Sequence, residues 1–80
     1  MKFGARFANE RKKKGLSVVE TAVTCKISRS YVILIENGKR QPGVKILPKI
    51  AHAFNLSKEQ IIKWYLEDVK ERLEEKLQVK

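Results

Sequence analysis

A single cysteine, Cys25, rules out an intramolecular disulfide in this chain. A single histidine, His52, leaves no cluster of zinc ligands. The longest apolar run, Tyr31-Val32-Ile33-Leu34-Ile35, is far short of a membrane span. The opening segment MKFGARFANERKKK has no apolar stretch followed by a small-residue cleavage site, so it does not read as a secretory signal. Two prolines and four glycines suffice for short turns but not for a long linker. No nucleophile stands beside a base, and no glycine-rich loop offers a phosphate cradle, so the sequence does not suggest an enzyme. Nor does it suggest a cofactor, a metal or a small-molecule ligand. A reducing cytoplasm suits the lone thiol.

What remains is an 80-residue chain, 42% hydrophobic and 34% charged, the composition of one globular domain with a modest core. Its formal net charge is +9, and that excess is unevenly placed. Residues 1–49 hold twelve basic and three acidic side chains, whereas residues 50–80 hold six of each. A basic lobe beside a neutral one points to a polyanion-binding surface on the first part. A membrane surface fits less well, because the basic residues do not share one face of a single amphipathic helix.

Helix signals run along the whole chain. Phe3, Phe7 and Ala8 form one stripe, Lys12-Lys13-Lys14 suit a helix carboxyl end, and Gly15 stops it. Ser17 with Glu20 predicts a capping box and a helix reaching about Cys25. After the short turn Lys26-Ile27, Ser28 caps a helix that ends near Asn37, with Gly38 as its stop. Residues 38–43 form a loop by their Gly and Pro content. A fourth helix is predicted from Val44 to Phe54, with Val44, Leu47, Ile50, Ala51 and Phe54 on its inner face and Pro48 near its start. Asn55-Leu56 is a tight connection. Ser57 with Gln60 caps a last helix from Lys58 to about Gln78. Val18-Val19 and Tyr31 to Ile35 favour strands, but each lies between helix caps, and packing overrides propensity there.

Two short helices joined by so brief a turn make a helix-turn-helix when their core positions mesh. Ala22 is small where they cross, and Ile27, Val32 and Ile35 fill the space beneath. The second helix is then free to enter a major groove, amino end first.

The motifs Arg11-Lys12-Lys13-Lys14-Gly15-Leu16-Ser17, Ile27-Ser28-Arg29-Ser30-Tyr31-Val32, Ile35-Glu36-Asn37-Gly38-Lys39-Arg40-Gln41-Pro42 and Ile50-Ala51-His52-Ala53-Phe54-Asn55-Leu56-Ser57 appear in that order. Together they resemble the Cro/cI-type (XRE) helix-turn-helix repressors over about residues 3–62. The resemblance implies an all-α, lambda-repressor-like five-helix bundle, here with an extended C-terminal helix. It divides the chain into a DNA-binding domain at 1–62 and an extension at 63–80. It also implies a regulator of transcription, a repressor, that binds a palindromic operator in double-stranded DNA as a homodimer. Such a protein works in the cytoplasm on the nucleoid.

Position by position, the resemblance places Arg29, Ser30, Ile33 and Leu34 toward base edges. Ser17, Tyr31, Asn37, Lys39 and Arg40 match positions that contact phosphates. Arg11 and Glu36 match a structural salt bridge. Four departures stand out. Val18 replaces a Gln that grips phosphate, Thr21 replaces a Leu, and Lys26 replaces the turn Gly. Ile33 and Leu34 stand where polar readers usually stand. Apolar groups there suit thymine methyls. They equally suit a protein-binding module on the same scaffold, using an apolar patch of Val18, Val23, Ile33 and Leu34.

Beyond the resemblance, Leu66, Val69, Leu73 and Leu77 continue the stripe of Ile62 along the last helix. The bundle is expected to end near Leu66, which leaves that stripe to pack on a second copy. Asp68 with Arg72 and Glu67 with Lys70 are expected to pair along the helix. Elsewhere Cys25 fits a core position and His52 the surface. Trp64 and Tyr65 fit the core or the dimer seam, and Glu71, Glu74 and Glu75 a solvated face.

Overall fold

The computed structural model describes residues 2–78, which form five α-helices and one 3₁₀ turn, with no strand among them. In chain order these are α1 (Phe3–Lys13), α2 (Val18–Cys25), α3 (Arg29–Glu36), a 3₁₀ turn (Val44–Ile46), α4 (Leu47–Phe54) and α5 (Lys58–Lys76). The all-helical fold agrees with the sequence reading.

Most helix ends are set by local chemistry. Ser17 accepts from the Glu20 amide while Glu20 accepts from the Ser17 amide, a complete capping box at α2. Ser57 and Gln60 do the same for α5. At α3 the Ser28 hydroxyl accepts from the Tyr31 amide. Gly15 and Gly38 take φ of 69° and 73°, which ends α1 and α3 without steric cost. Lys26 adopts the same left-handed conformation at φ 56°, at a cost of roughly 1–2 kcal/mol for a residue with a Cβ.

The amino end of α1 is different. Lys2 supplies no side-chain cap. Instead Asp68 on α5, fully buried, accepts from the Phe3 amide at 3.0 Å. The first helix is therefore capped by the last. This moves the edge of the bundle past the expected limit at Leu66: Asp68 lies inside, Glu67 pairs with Arg6 and not Lys70, and Glu75 reaches Lys2 at 3.0 Å. Asp68 does pair with Arg72, at 2.7 Å. α5 crosses positions 62 and 63 without a break.

A second difference concerns Val44. The sequence places it on the inner stripe of α4, yet it lies in the 3₁₀ turn and is 67% exposed. Pro48 explains the offset. It has no N–H to give to the Val44 carbonyl, so α-type bonding cannot include that residue, and helical periodicity begins only at Leu47.

The core joins Phe3 and Phe7 of α1 to Val32 and Ile35 of α3, Ile50 and Phe54 of α4, and Trp64 of α5. Phe7 meets Phe54 edge-on at 5.1 Å, and Phe3 meets Trp64 edge-on at 5.7 Å. Ala22 is buried on α2, and Ile27 packs partly against the core. Thr21 is fully buried, and its hydroxyl donates to the Ser17 carbonyl at 2.9 Å, which offsets its polarity.

Gly4 sets how closely α1 approaches α3. A Cβ at this position would lie 2.1 Å from the Ile35 carbonyl oxygen, a backbone atom that cannot swing aside. Gly4→Ala must push α1 off α3. It is expected to destabilise by about 1–3 kcal/mol, a Tm fall of roughly 5–20 °C in a domain this small. Thermal melting followed by circular dichroism measures this, and an unchanged Tm would show that the helices do not cross at Gly4.

Candidate nucleic-acid interface

α3 turns only Val32 and Ile35 fully inward. That spacing leaves Arg29 and Ser30 exposed at its amino end, with Ile33 43% and Leu34 37% exposed behind them. The four residues expected to face bases thus share the solvent side of one short helix. An isolated helix of eight residues would not persist in water, so its shape is held by the core beneath it.

The residues expected at phosphates lie around this helix. Ser17 is exposed at the start of α2, with its oxygen accepting from Glu20 and its hydroxyl hydrogen still available. Asn37, Lys39 and Arg40 are exposed in the turn after α3. The Lys39 and Arg40 amides both donate to the Leu34 carbonyl, at 3.0 and 3.2 Å, which ties the turn to the helix. Tyr31 is half-buried, and its hydroxyl accepts from the Gly43 amide at 3.1 Å. The Arg40 guanidinium lies over the Tyr31 ring, 4.8 Å from its centroid. Tyr31 therefore organises the loop as well as standing near it, a role the sequence reading did not assign.

Arg11 and Glu36 hold α3 from behind. Arg11 Nε and Nη2 lie 2.6 and 3.0 Å from the two Glu36 oxygens, and Nη1 donates to the Leu16 carbonyl at 3.0 Å. Both side chains are nearly buried, at 12% and 13% exposure. The hydrogen bond to Glu36 raises the Arg11 pKa above its ordinary value, against the opposing effect of burial.

The apolar patch needs one correction. Val18 packs partly against the core, whereas Val19 is 53% and Val23 72% exposed. Val19 and Val23 are four apart and share the outer face of α2. The i, i+4 spacing therefore pairs Val23 with Val19 and not with Val18. Cys25 is fully buried, and burial pushes its thiol pKa up, with Lys49 opposing in part. It is a core residue and a poor nucleophile. His52 is exposed. No helix among the described residues is long and apolar enough to cross a membrane, and no three or more metal-binding side chains cluster there.

Residues 7–61 match the helix-turn-helix family. The chain is 42% identical over 55 residues to the ImmF control region 10 kDa protein of Bacillus phage phi105, a match covering 69% of this chain but only 61% of that relative. Among solved structures, the restriction-modification controller protein C.AhdI from Aeromonas hydrophila is similar with a TM-score of 0.69 and 32% identity, covering 74% of this chain and 89% of the controller. The master regulator for biofilm formation SinR, solved in complex with DNA, is similar with a TM-score of 0.68 and 28% identity, covering 75% of this chain and 97% of SinR in that structure.

Arg11→Ala would leave Glu36 charged, nearly buried and unpaired. The expected loss is about 3 kcal/mol, far above the value of an exposed pair. Chemical denaturation measures it, and a variant as stable as the parent would show that Glu36 is adequately hydrated without Arg11.

Proposed function

The chain belongs to the XRE-type helix-turn-helix family, and on that premise we propose that it is a DNA-binding transcription regulator that represses from a palindromic operator as a homodimer. The observation that carries this reading is the uncovered face of α3, with Arg29 and Ser30 at its amino end and a cationic turn directly after it. In this reading Arg29 bridges a guanine and Ser30 reads a neighbouring base edge. Ile33 and Leu34 contact thymine methyls. Ser17, Tyr31, Asn37, Lys39 and Arg40 hold the phosphate backbone. The basic excess in the first part of the chain supports it, since phosphate contacts supply most of the affinity. The protein acts in the cytoplasm, on the nucleoid.

The second copy docks on the outer face of α5. Leu66 and Leu73 are 59% and 52% exposed there, with Val69 half-buried between them, and Leu77, just past the end of the helix, is 72% exposed. Ile62, 42% exposed, continues this strip into a mostly apolar depression of about 530 Å³ walled by Leu47, Pro48, Ala51, Leu56 and Ile61, with His52 and Lys58 at its edge. So much contiguous apolar surface marks an interaction site. Two-fold pairing would place two copies of α3 about one DNA turn, roughly 34 Å, apart.

A second reading rests on the exposed apolar side chains of α2 and α3. Val19, Val23, Ile33 and Leu34 would then dock a protein, and this reading takes Val19 in place of Val18.

Selection of bound duplexes from a random pool tests the base readers. Arg29→Ala is expected to lower affinity by roughly 1–3 kcal/mol and relax preference at one base pair. Lys39→Ala is expected to weaken all sequences alike and flatten the salt dependence by about one charge. An unchanged preferred sequence in Arg29→Ala, or affinity insensitive to salt, would favour the protein-docking reading. Sedimentation tests the pairing: the parent should be a dimer at tens of micromolar. Leu66→Glu combined with Leu73→Glu should be a folded monomer. A monomeric parent would remove the dimer.

A further inference from the structure

The inner face of α5 carries a chain of hydrogen bonds that ends beside the proposed phosphate-binding turn. Asp68 is fully buried, and one of its oxygens accepts from the Phe3 amide at 3.0 Å. The other accepts from Arg72 Nε at 2.7 Å. Arg72 then reaches with Nη2 to the Gly38 carbonyl, 34 residues earlier in the chain, at 3.2 Å. The links join the start of α1, the middle of α5 and the residue that ends α3.

Gly38 is the point at which such a hold matters. Its φ is 73°, and a glycine peptide rotates more freely than any other. Asn37 precedes it, and Lys39 and Arg40 follow. The amides of Lys39 and Arg40 fix the turn to Leu34 from one side, and the Gly38 carbonyl fixes it to α5 from the other. Arg72 lies about one turn of α5 past Asp68, whose carboxylate balances its charge, so it adds little to the field at the turn.

We propose that Arg72 is a positioning residue for nucleic-acid binding: its guanidinium, aimed by Asp68, holds the turn of Asn37, Lys39 and Arg40 in the shape that meets a phosphate backbone. This rests on the proposed DNA-binding function. The side chain touches no nucleic acid itself. A guanidinium serves two acceptors from separate nitrogens in one plane, which the single ammonium of lysine does not reproduce.

The test uses a mixed-sequence duplex of roughly 30 base pairs, because backbone contacts dominate binding to such DNA. Affinity is measured across a series of salt concentrations for the parent, Arg72→Met, Arg72→Lys and Lys76→Met. Lys76 is an exposed charge on the same helix and controls for net charge. Arg72→Met is expected to bind about 5–10-fold more weakly, with a salt slope shallower by about one. Arg72→Lys should not restore either quantity, and Lys76→Met should change neither. Amide exchange at Lys39 and Arg40 should quicken in both Arg72 variants, while exchange in the core of α4 stays slow.

Restoration by lysine, or an equal loss in Lys76→Met, would reduce the effect to charge and overturn the proposal. Unchanged binding in a folded Arg72→Met would overturn it as well. If the parent bound no duplex at any salt, the DNA reading would fall and Arg72's role in binding with it. Faster exchange at Lys39 and Arg40 would then still show the hold on the turn.

Discussion

Arg11 makes three hydrogen bonds that converge segments the chain order keeps apart. Two go to Glu36 at the end of α3, and one to the Leu16 carbonyl just before α2. At the other end of α1, the missing Cβ of Gly4 lets the helix backbone lie against the Ile35 carbonyl. α1 thus holds α3 by a nearly buried ion pair and by close backbone contact. Magnitudes separate this from the other ion pairs. Lys2 and Glu75 are 36% and 61% exposed, where a pair contributes about 0–1 kcal/mol. Arg11 and Glu36 are mostly desolvated, so loss of either leaves a charge with neither partner nor adequate water. Because α3 is held from behind, it buries only Val32 and Ile35 fully, and Arg29, Ser30, Ile33 and Leu34 stay exposed.

Local signals were legible in the sequence because their causes lie within a few residues. Ser17 with Glu20, Ser57 with Gln60, and the stops at Gly15 and Gly38 each satisfy or release backbone groups inside one helical turn. The helix-turn-helix and the core positions of α3 followed from these boundaries, whereas the outward placing of Arg29, Ser30, Ile33 and Leu34 came from the family resemblance. Val44 departs from its expected place for an equally local reason. Apolar spacing continues back to Val44, but Pro48 cannot donate the bond that an α-helical turn beginning there requires.

Features that depend on distant partners were not legible. Nothing near Gly4 marks it as a contact point, since the atom it must avoid belongs to Ile35. Asp68 read as a surface residue paired along its helix. That pair exists, but the other carboxylate oxygen caps a helix 65 residues away. Glu67 pairs across to Arg6 on α1, a partner 61 residues away that its own helix does not announce. Val18 and Val19 differ by one position, and here the spacing does separate them: Val18 lies four residues before buried Ala22, Val19 four before exposed Val23.

α5 carries two faces with different tasks. Ile61, Trp64 and Asp68 recur at spacings of three and four on the inner side, with Arg72 one turn further. Ile62, Leu66 and Leu73 lie on the outer side, exposed. The inner face is satisfied within the chain, by aromatic packing against Phe3 and by hydrogen bonds to Phe3 and Gly38. The outer face is not, and leaving it in water forgoes about 25 cal/mol for each Å² of apolar surface. A second copy docked there, as proposed, need not disturb the inner contacts. The pairing surface and the turn after α3 would then be attached to two faces of one stiff helix. In that arrangement the crossing angle of the two copies of α5 sets the separation of the two copies of α3. The preferred spacing of half-sites would accordingly be governed by Leu66 and Leu73, residues far from any base, while base preference stays with α3.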